Sequence, residues 1–333
     1  MADGEPVPGS LFIYAPNKVA PAVFSALFAI SGVGHIWQCY HYKCFKLVGL
    51  HSLCAIVFAA GYALREYATF DLNYIYSTKN LLIFIISQVF IFICPPLLEL
   101  ANYHVLGRVF YYVPYNAPLP PGRVLSIFGG LLAIVELLNS LGVAFTANIS
   151  STPSKQEMGK SLTLAALAIQ LVVIVIFVVL ASIFHWRCAK AKLRSKAVST
   201  SLTALYISMA LIFVRCIYRL VEHLGNTTVR LKDLESLKQL SPILRYEWYF
   251  YVFEAVLMLV NSVLWNVWNP GRYLPGNHQV YLSRDGIEVQ GEEGADRRPL
   301  LAKAGHVLTF GIFFGRKKES SPFEELHDYP GAK

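Results

Sequence analysis

Seven apolar stretches, each about as long as a bilayer is thick, occupy most of the chain before Gly271. A helix needs about 20 predominantly apolar residues to cross the bilayer, where its backbone groups must be bonded internally. Of the 333 residues, 55% are hydrophobic and only 15% are charged. The sequence therefore predicts an all-α membrane protein, a bundle of seven transmembrane helices. The predicted spans are Val19–Gln38, Leu47–Arg65, Asn80–Leu100, Val124–Thr146, Ser161–Phe184, Thr200–Glu222 and Trp248–Val267.

The chain divides into a long membrane domain and two flanking segments. Residues 1–18 lack the basic region of a cleaved signal peptide, so we expect a short extracellular N-terminus and a first span that acts as the insertion signal. Residues 19–271 form the predicted transmembrane domain. From residue 272 the sequence turns to Gly and charged residues, which predicts a cytosolic, mostly disordered tail over 272–333.

Charge, sequons and cysteines together predict the orientation of the bundle. The loop His185–Val198, between spans five and six, holds five Lys and Arg residues and no acid, which is typical of a cytoplasmic loop. Two sequons, at Asn148 and Asn226, fall in loops on the opposite side, as glycosylation of an outer face requires. That side also has no cysteine, which suits an outer face without disulfides. We predict the N-terminus outside and the C-terminus in the cytosol.

Two further features bear on where the protein resides and what it meets. The net charge of +8 has its excess in the membrane domain, which favours contact with anionic lipid head groups over nucleic acid. Asp296, Leu300 and Leu301 fit an acidic dileucine signal for a sorting adaptor, although so short a pattern also arises by chance. We expect a protein of the plasma membrane, with a vacuolar or endosomal membrane as the alternative.

Charged side chains inside the predicted spans point to a function, because burying one at the bilayer centre costs at least ~2.5 kcal/mol. In span six, Arg215, Arg219 and Glu222 stand at i, i+4 and i+7 on one helical face, with Tyr218 next to Arg219 in the sequence. Arg215 lies on the order of 10 Å deeper than Glu222, at about 1.5 Å per residue. Glu254 reaches a matching depth in span seven. An Arg215–Glu254 ion pair is therefore geometrically available.

Further polar residues lie at similar depth on neighbouring spans. Glu136 and Asn139 share one face of span four, while Gln88 and Gln170 lie mid-membrane on spans three and five. Together with the charges they predict a polar pocket in the outer half of the bundle. The alternative is an ion-pair network that only locks helices together. The residues predicted to line the pocket are Arg65, Gln88, Glu136, Asn139, Arg215, Tyr218, Arg219, Glu222, Glu247 and Glu254.

Five histidines gather near the cytoplasmic ends of the spans: His35, His41, His51, His104 and His185. Imidazole is a common metal ligand, so these residues raise a metal or haem site as an alternative. However, none of them pairs at i, i+4, and the sequence has no CxxC or HExxH. We therefore interpret them as interfacial histidines and expect no metal site.

Several segments carry a family resemblance. They resemble the fungal lipid-translocating exporters, also called RTA-like proteins after resistance to aminocholesterol, and the likeness covers about residues 10–275. The segments are Arg215-Cys-Ile-Tyr-Arg-Leu-Val-Glu222, Glu247-Trp-Tyr-Phe-Tyr-Val-Phe-Glu254, Trp268-Asn-Pro-Gly-Arg-Tyr273, Tyr14-Ala-Pro16, Gly61-Tyr-Ala-Leu-Arg65 and Pro95-Pro-Leu-Leu-Glu-Leu-Ala-Asn-Tyr-His-Val-Leu-Gly-Arg108.

The resemblance implies a seven-helix membrane protein with an outside N-terminus. Members are linked to export or flipping of sphingoid long-chain bases, to resistance against amphiphilic toxins and, in one branch, to porphyrin uptake. It also implies that the conserved pattern of that family falls on Arg215, Arg219, Glu222 and Glu254. Leu132 and Asn139 depart from the Asp and Gln that members often carry, which indicates a divergent branch. No cofactor is expected, while haem or porphyrin is an alternative ligand.

The leading hypothesis is a translocator of an amphiphile whose head group binds the polar pocket while its tail lies between helices. Its expected partners are membrane lipids and an amphiphilic small molecule. A lipid sensor or receptor is an alternative, since Asn269-Pro-Gly-Arg-Tyr273 fits a receptor pattern, although it lies past the end of span seven. A metal-dependent membrane hydrolase is disfavoured because Trp248–Val267 has no histidine, so we expect no enzyme.

Overall fold

The structure, a computed structural model, is built almost entirely of helices. It describes residues 5–70, 75–147, 152–193, 195–225, 234–277, 279–283 and 287–290. The helices are α1 (Ala20–His41), α2 (Phe45–Phe70), α3 (Thr78–Tyr112), α4 (Pro121–Ala147), α5 (Pro153–Lys190), α6 (Lys196–Leu224), α7 (Leu234–Lys238), α8 (Pro242–Arg245), α9 (Glu247–Phe250) and α10 (Leu257–Val267). A π-helical segment (Tyr251–Val256) joins α9 to α10, 3-10 turns cover Pro114–Asn116 and Pro270–Arg272, and a hairpin pairs β1 (Val280–Leu282) with β2 (Glu288–Gln290).

Seven of these helical stretches are long and apolar enough to span a membrane, which confirms the predicted fold class. They are α1 to α6, and α9 to α10 taken together with the π-helical segment. Successive spans pack against each other, and α10 packs between α1 and α6, which closes the bundle. Since seven crossings place the two ends of the bundle on opposite sides, we call them the N-terminal side and the C-terminal side. The orientation of these sides in a membrane stays a prediction.

The third span is longer than predicted. The sequence analysis ended it at Leu100, yet α3 continues through Pro95 and Pro96 to Tyr112. A proline removes one backbone donor, and a transmembrane helix tolerates this where neighbouring groups re-satisfy the backbone. The extension brings the later part of α3 into the bundle interior.

A regular polar seam joins α1 to α10. The hydroxyls of Ser31 and Ser262 are 2.7 Å apart, and His35 Nε2 lies 3.1 Å from the Ser262 carbonyl oxygen. One turn further on, Gln38 donates to the Asn266 carbonyl oxygen at 2.8 Å. Partners recur at i, i+4 and i+7 on α1, so the seam fixes the register of these two helices.

The segment before α1 forms a cap over the N-terminal side of the bundle. Phe12 is buried against Ala68 of α2 and meets the ring of Phe84 edge-on, with centroids 4.9 Å apart. Ile13 is buried with Leu237 of α7. Residues 5–18 are therefore packed onto the bundle rather than extended away from it.

On the opposite side, the chain after span seven docks on α3. The Arg108 guanidinium donates to the backbone carbonyls of Pro275 and Asn277, at 3.3 and 3.0 Å. The boundary that we predicted at residue 271 therefore falls inside a folded segment, which ends with the β1–β2 hairpin. The predicted disorder of the remaining tail concerns residues 291–333, which lie outside the described residues.

The packing of α4 on α5 generates a first prediction. A Cβ atom on Gly142 would lie 2.3 Å from Thr163 Oγ1 and 2.8 Å from the Gly159 carbonyl oxygen. Gly142→Ala should therefore destabilise the protein by about 1–3 kcal/mol through overpacking. Gly122→Ala is the control, because no atom lies within 4 Å of a Cβ there. The readout is the thermal midpoint of the detergent-solubilised protein, and equal midpoints for the two variants would contradict the prediction.

Candidate functional site

Arg215 and Glu254 form an ion pair inside the bundle. Arg215 of α6 donates from Nε to both carboxylate oxygens of Glu254, at 3.0 and 2.9 Å. Both side chains are buried, Glu254 completely. The depth argument made this pair available, and the structure contains it. A charge-assisted, bifurcated bond of this kind satisfies two groups that would each be costly to leave alone in an apolar interior.

Local structure explains how Glu254 comes to face the interior. It lies in the π-helical segment, whose wider turn shifts the following residues around the helix axis. Met258, Asn261 and Trp265 follow at i+4, i+7 and i+11, and all are fully buried. One face of span seven is therefore directed into the bundle, with the carboxylate near its start.

A second buried pair lies nearer the N-terminal side. Arg65 of α2 donates to Glu247 Oε1 at 3.0 Å and to the Tyr14 hydroxyl at 3.1 Å. The guanidinium also lies 4.4 Å from the centroid of the Phe250 ring, which adds a cation–π contact. The other oxygen of Glu247 accepts the backbone N–H of Asn17 at 2.7 Å. Burial raises the pKa of Tyr14 to about 12 despite the nearby guanidinium, so its hydroxyl stays protonated and able to donate.

The third pair is local to α6. Arg219 bonds Glu222, three residues along the same helix, and both side chains are partly exposed. The Arg219 guanidinium lies 4.3 Å from the centroid of the Phe92 ring of α3. Tyr218 instead stacks on Phe253, with centroids 5.4 Å apart. The two arginines of span six thus have separate carboxylate partners, although the sequence places them on one helical face.

A buried tyrosine and a carboxyl group of α4 lie near these charged pairs. Tyr62 is fully buried, and both Glu254 and Arg65 lie within electrostatic range of it. Arg215 is also within range of Glu136 on α4, although its hydrogen bonds go to Glu254. Glu136 is half-buried, as are Asn139 and Gln88, the remaining predicted pocket residues.

Sequence reasoning missed one buried carboxyl group. Glu99 of α3 is fully buried and accepts hydrogen bonds from Tyr103 and, at 2.7 Å, from the side-chain amide of Gln170. It lies within electrostatic range of both Arg215 and Glu136. The signal was present, since Glu99 follows a long apolar run, but ending the span at Leu100 placed this residue at the membrane edge.

The charged interior can be compared with known proteins. A family model described as RTA1 like protein matches residues 52–277, which include α6 and all of span seven. The chain belongs to the RTA1-like family. This confirms the resemblance that the sequence motifs indicated.

Relatives in this family are fungal. A Leptosphaeria maculans protein named lipid-translocating exporter-like protein RTA1 is 52% identical over 335 residues, covering 98% of this chain and 64% of that protein. An Ajellomyces capsulatus protein of the same name is 30% identical, covering 71% and 75%. The probable lipid transporter atnI of Emericella nidulans is 24% identical, covering 80% and 69%. This chain thus spans less than two thirds of the Leptosphaeria relative. No solved structure matches it.

Two of the five histidines are buried inside the bundle. His35 is buried in the polar seam, and His51 is buried with its ring 5.0 Å from that of Trp265. Within the described residues, both ring nitrogens of His51 and the side-chain amide of Asn261 lack a hydrogen-bond partner. No cluster of three or more His, Cys, Asp or Glu residues suited to a metal ion occurs in the part of the chain that the structure describes.

Other predicted sites cannot be compared with the structure. The sequons at Asn148 and Asn226 and the sorting signal at Asp296, Leu300 and Leu301 all lie outside the described residues. The outer-half pocket itself stays a prediction. Two cavities lie toward the C-terminal end of α5, and none of the predicted pocket residues lines them.

The burial of the pairs generates a second prediction. Glu254→Gln would leave Arg215 charged and unpaired in the interior, which should cost about 3–5 kcal/mol. Glu222→Gln removes a partly exposed pair within one helix and should cost less than about 1 kcal/mol. Thermal midpoints of the two purified variants in the same detergent give the comparison. Similar losses would show that the deeper pair is not held as the structure describes.

Proposed function

We propose that this chain translocates an amphiphilic lipid across the membrane and that the Arg215–Glu254 pair binds the lipid head group. The observation that carries the proposal is an ion pair inside a seven-span bundle with both of its side chains buried. Such a pair provides charged groups to which a polar head group can bond inside the membrane, where the surrounding hydrocarbon provides none. The names of the relatives, a lipid-translocating exporter-like protein and a probable lipid transporter, support the same reading.

The pair is suited to exchange of partners. Both hydrogen bonds leave Arg215 from Nε, so the two terminal amino groups of the guanidinium lie outside this bond. A cationic head group that bonds Glu254 would release Arg215, and Glu136 of α4 lies within electrostatic range as a second carboxyl group for the guanidinium. The π-helical segment around Glu254 supports this role, because such segments recur at functional sites.

The charges around the pair favour a cationic head group. Arg215 has three carboxyl groups within electrostatic range: its partner Glu254, together with Glu99 and Glu136. A single guanidinium therefore faces an excess of carboxyl groups. An ammonium head group would restore the balance, whereas a phosphate would add to the excess. We propose a sphingoid long-chain base or a similar cationic amphiphile as the substrate.

The transport proposal predicts the behaviour of a neutral double variant. Arg215→Met with Glu254→Met replaces the ion pair by apolar side chains, which often preserves stability. In proteoliposomes, leaflet exchange of a fluorescent long-chain base, followed by quenching from outside, should fall to the rate of protein-free vesicles. A folded double variant that exchanges the lipid at the original rate would reduce the pair to a structural role.

A matched control separates the loss of this pair from the loss of any two charges. Arg123→Gln with Glu157→Gln removes the same types of charge at exposed positions on α4 and α5. This variant should retain lipid exchange. Both double variants should show a thermal midpoint close to that of the original protein, so a difference in exchange reports on function.

The proposed head-group preference has a test on the unaltered protein. A fluorescent long-chain base and its 1-phosphate share the same chain and differ in head-group charge. The base should cross the proteoliposome membrane faster than its phosphate, relative to the rates in protein-free vesicles. Faster protein-dependent exchange of the phosphate would overturn the assignment of a cationic substrate while leaving the translocator proposal intact.

A further inference from the structure

A groove lies on the C-terminal side of the bundle, away from the ion pairs. One cavity of about 860 Å³ opens where α5 meets α6, and a second of about 440 Å³ adjoins it along α5. They share His185 and Ala189, so they form a continuous depression, here called the α5–α6 groove. The larger volume falls within the ~300–1,000 Å³ that is usual for small-molecule sites. The lining of the larger cavity includes Cys188, Ala189, Lys192, Lys196 and Val198.

The mouth of the groove is cationic. Lys192 and Lys196 line it, and the surrounding loop His185–Val198 contains no acidic residue. Both lysines are exposed, and neither takes part in an ion pair among the residues that the structure describes. Ammonium groups that converge without a counter-charge are suited to an anion such as phosphate.

The other part of the groove is suited to lipid. Trp186 is exposed on α5 and lines the second cavity, with Lys190 Nζ 5.4 Å from its ring centroid. A tryptophan beside a lysine marks the level of the lipid head groups in membrane proteins. From there, Ile183 and other exposed apolar side chains continue along α5 toward the bundle centre. Buried Cys188 and Val198 close the floor of the larger cavity.

We infer that the α5–α6 groove binds an anionic phospholipid of the surrounding membrane. The phosphate lies between Lys192 and Lys196, and the acyl chains follow the apolar surface of α5 past Trp186. Under the predicted orientation this side faces the cytoplasmic leaflet, which carries the anionic lipids. The site is separate from the Arg215–Glu254 pair, so it neither requires nor tests the proposed translocation.

Retention of lipid by the purified full-length chain tests this site. The protein in detergent is mixed with phosphatidylserine or phosphatidylcholine, delipidated, and analysed by native mass spectrometry. The protein should retain phosphatidylserine more than phosphatidylcholine. Lys192→Gln with Lys196→Gln should reduce its retention about five-fold for each lysine, since a cation near an anionic lipid contributes on that order. Unchanged retention would overturn the proposal.

The control variant loses the same number of lysines, two, on the same side of the bundle. Lys43→Gln with Lys46→Gln removes two exposed lysines outside the groove, one between α1 and α2 and one in the first turn of α2. This variant should retain phosphatidylserine as the original protein does. An equal loss in both lysine variants would indicate diffuse electrostatic attraction and would overturn a defined site.

Two further arms distinguish a lipid site from a site for any anion. Ala189→Trp keeps the charge but fills the junction of the two cavities, so it should also reduce retention of phosphatidylserine. Full retention in this variant would contradict binding in the groove.

Inorganic phosphate, used alone, should not displace the lipid at equal concentration. Displacement by phosphate would show that the groove recognises a free anion instead. Thermal midpoints of all variants confirm that they are folded.

Discussion

A charged pair buried between two helices fixes how spans six and seven pack. Because Arg215 bonds both oxygens of Glu254, rotating or sliding either helix would separate the charges, at a cost of about 3–5 kcal/mol for the one left alone. The pair therefore sets which face of span seven is directed inward. Met258, Asn261 and Trp265 are buried on that face as a consequence.

The cap on the N-terminal side depends on a second pair of the same kind. Glu247 bonds the Arg65 guanidinium with one oxygen. Its other oxygen accepts the backbone N–H of Asn17, which lies 230 positions earlier in the sequence. Tyr14, Arg65 and Glu247 thereby fix the segment before α1 over the end of the bundle. The aromatic ring of Phe250 covers the guanidinium from another direction. A ligand that approaches the deeper pair from this side has to pass or displace these contacts.

The sequence predicted what depends on distance along a helix and missed what depends on direction around it. The seven spans follow from length, and their number is confirmed. The rise per residue placed Arg215 and Glu254 at one depth, and the structure pairs them. Arg219 instead pairs with Glu222 of its own helix at the i, i+3 spacing seen in the sequence, whereas the sequence analysis placed both residues in a shared pocket. Glu99 was missed for a different reason: the helix continues past two prolines, and this residue then lies inside the bundle.

Charged and neutral contacts divide the interior between the two sides of the bundle. On the C-terminal side the described hydrogen bonds between span seven and its neighbours are neutral, such as the one from the Trp265 indole to the Ser208 hydroxyl at 3.1 Å. A neutral hydrogen bond contributes only about 0.5–1.5 kcal/mol net, far less than a buried ion pair costs to break. His51 and Asn261 lie in this region with buried polar atoms that lack described partners. In the proposed translocation, a head group that takes over one member of the Arg215–Glu254 pair would release the strongest charged constraint on span seven, while the neutral hydrogen bonds that join α10 to α1 and α6 remain.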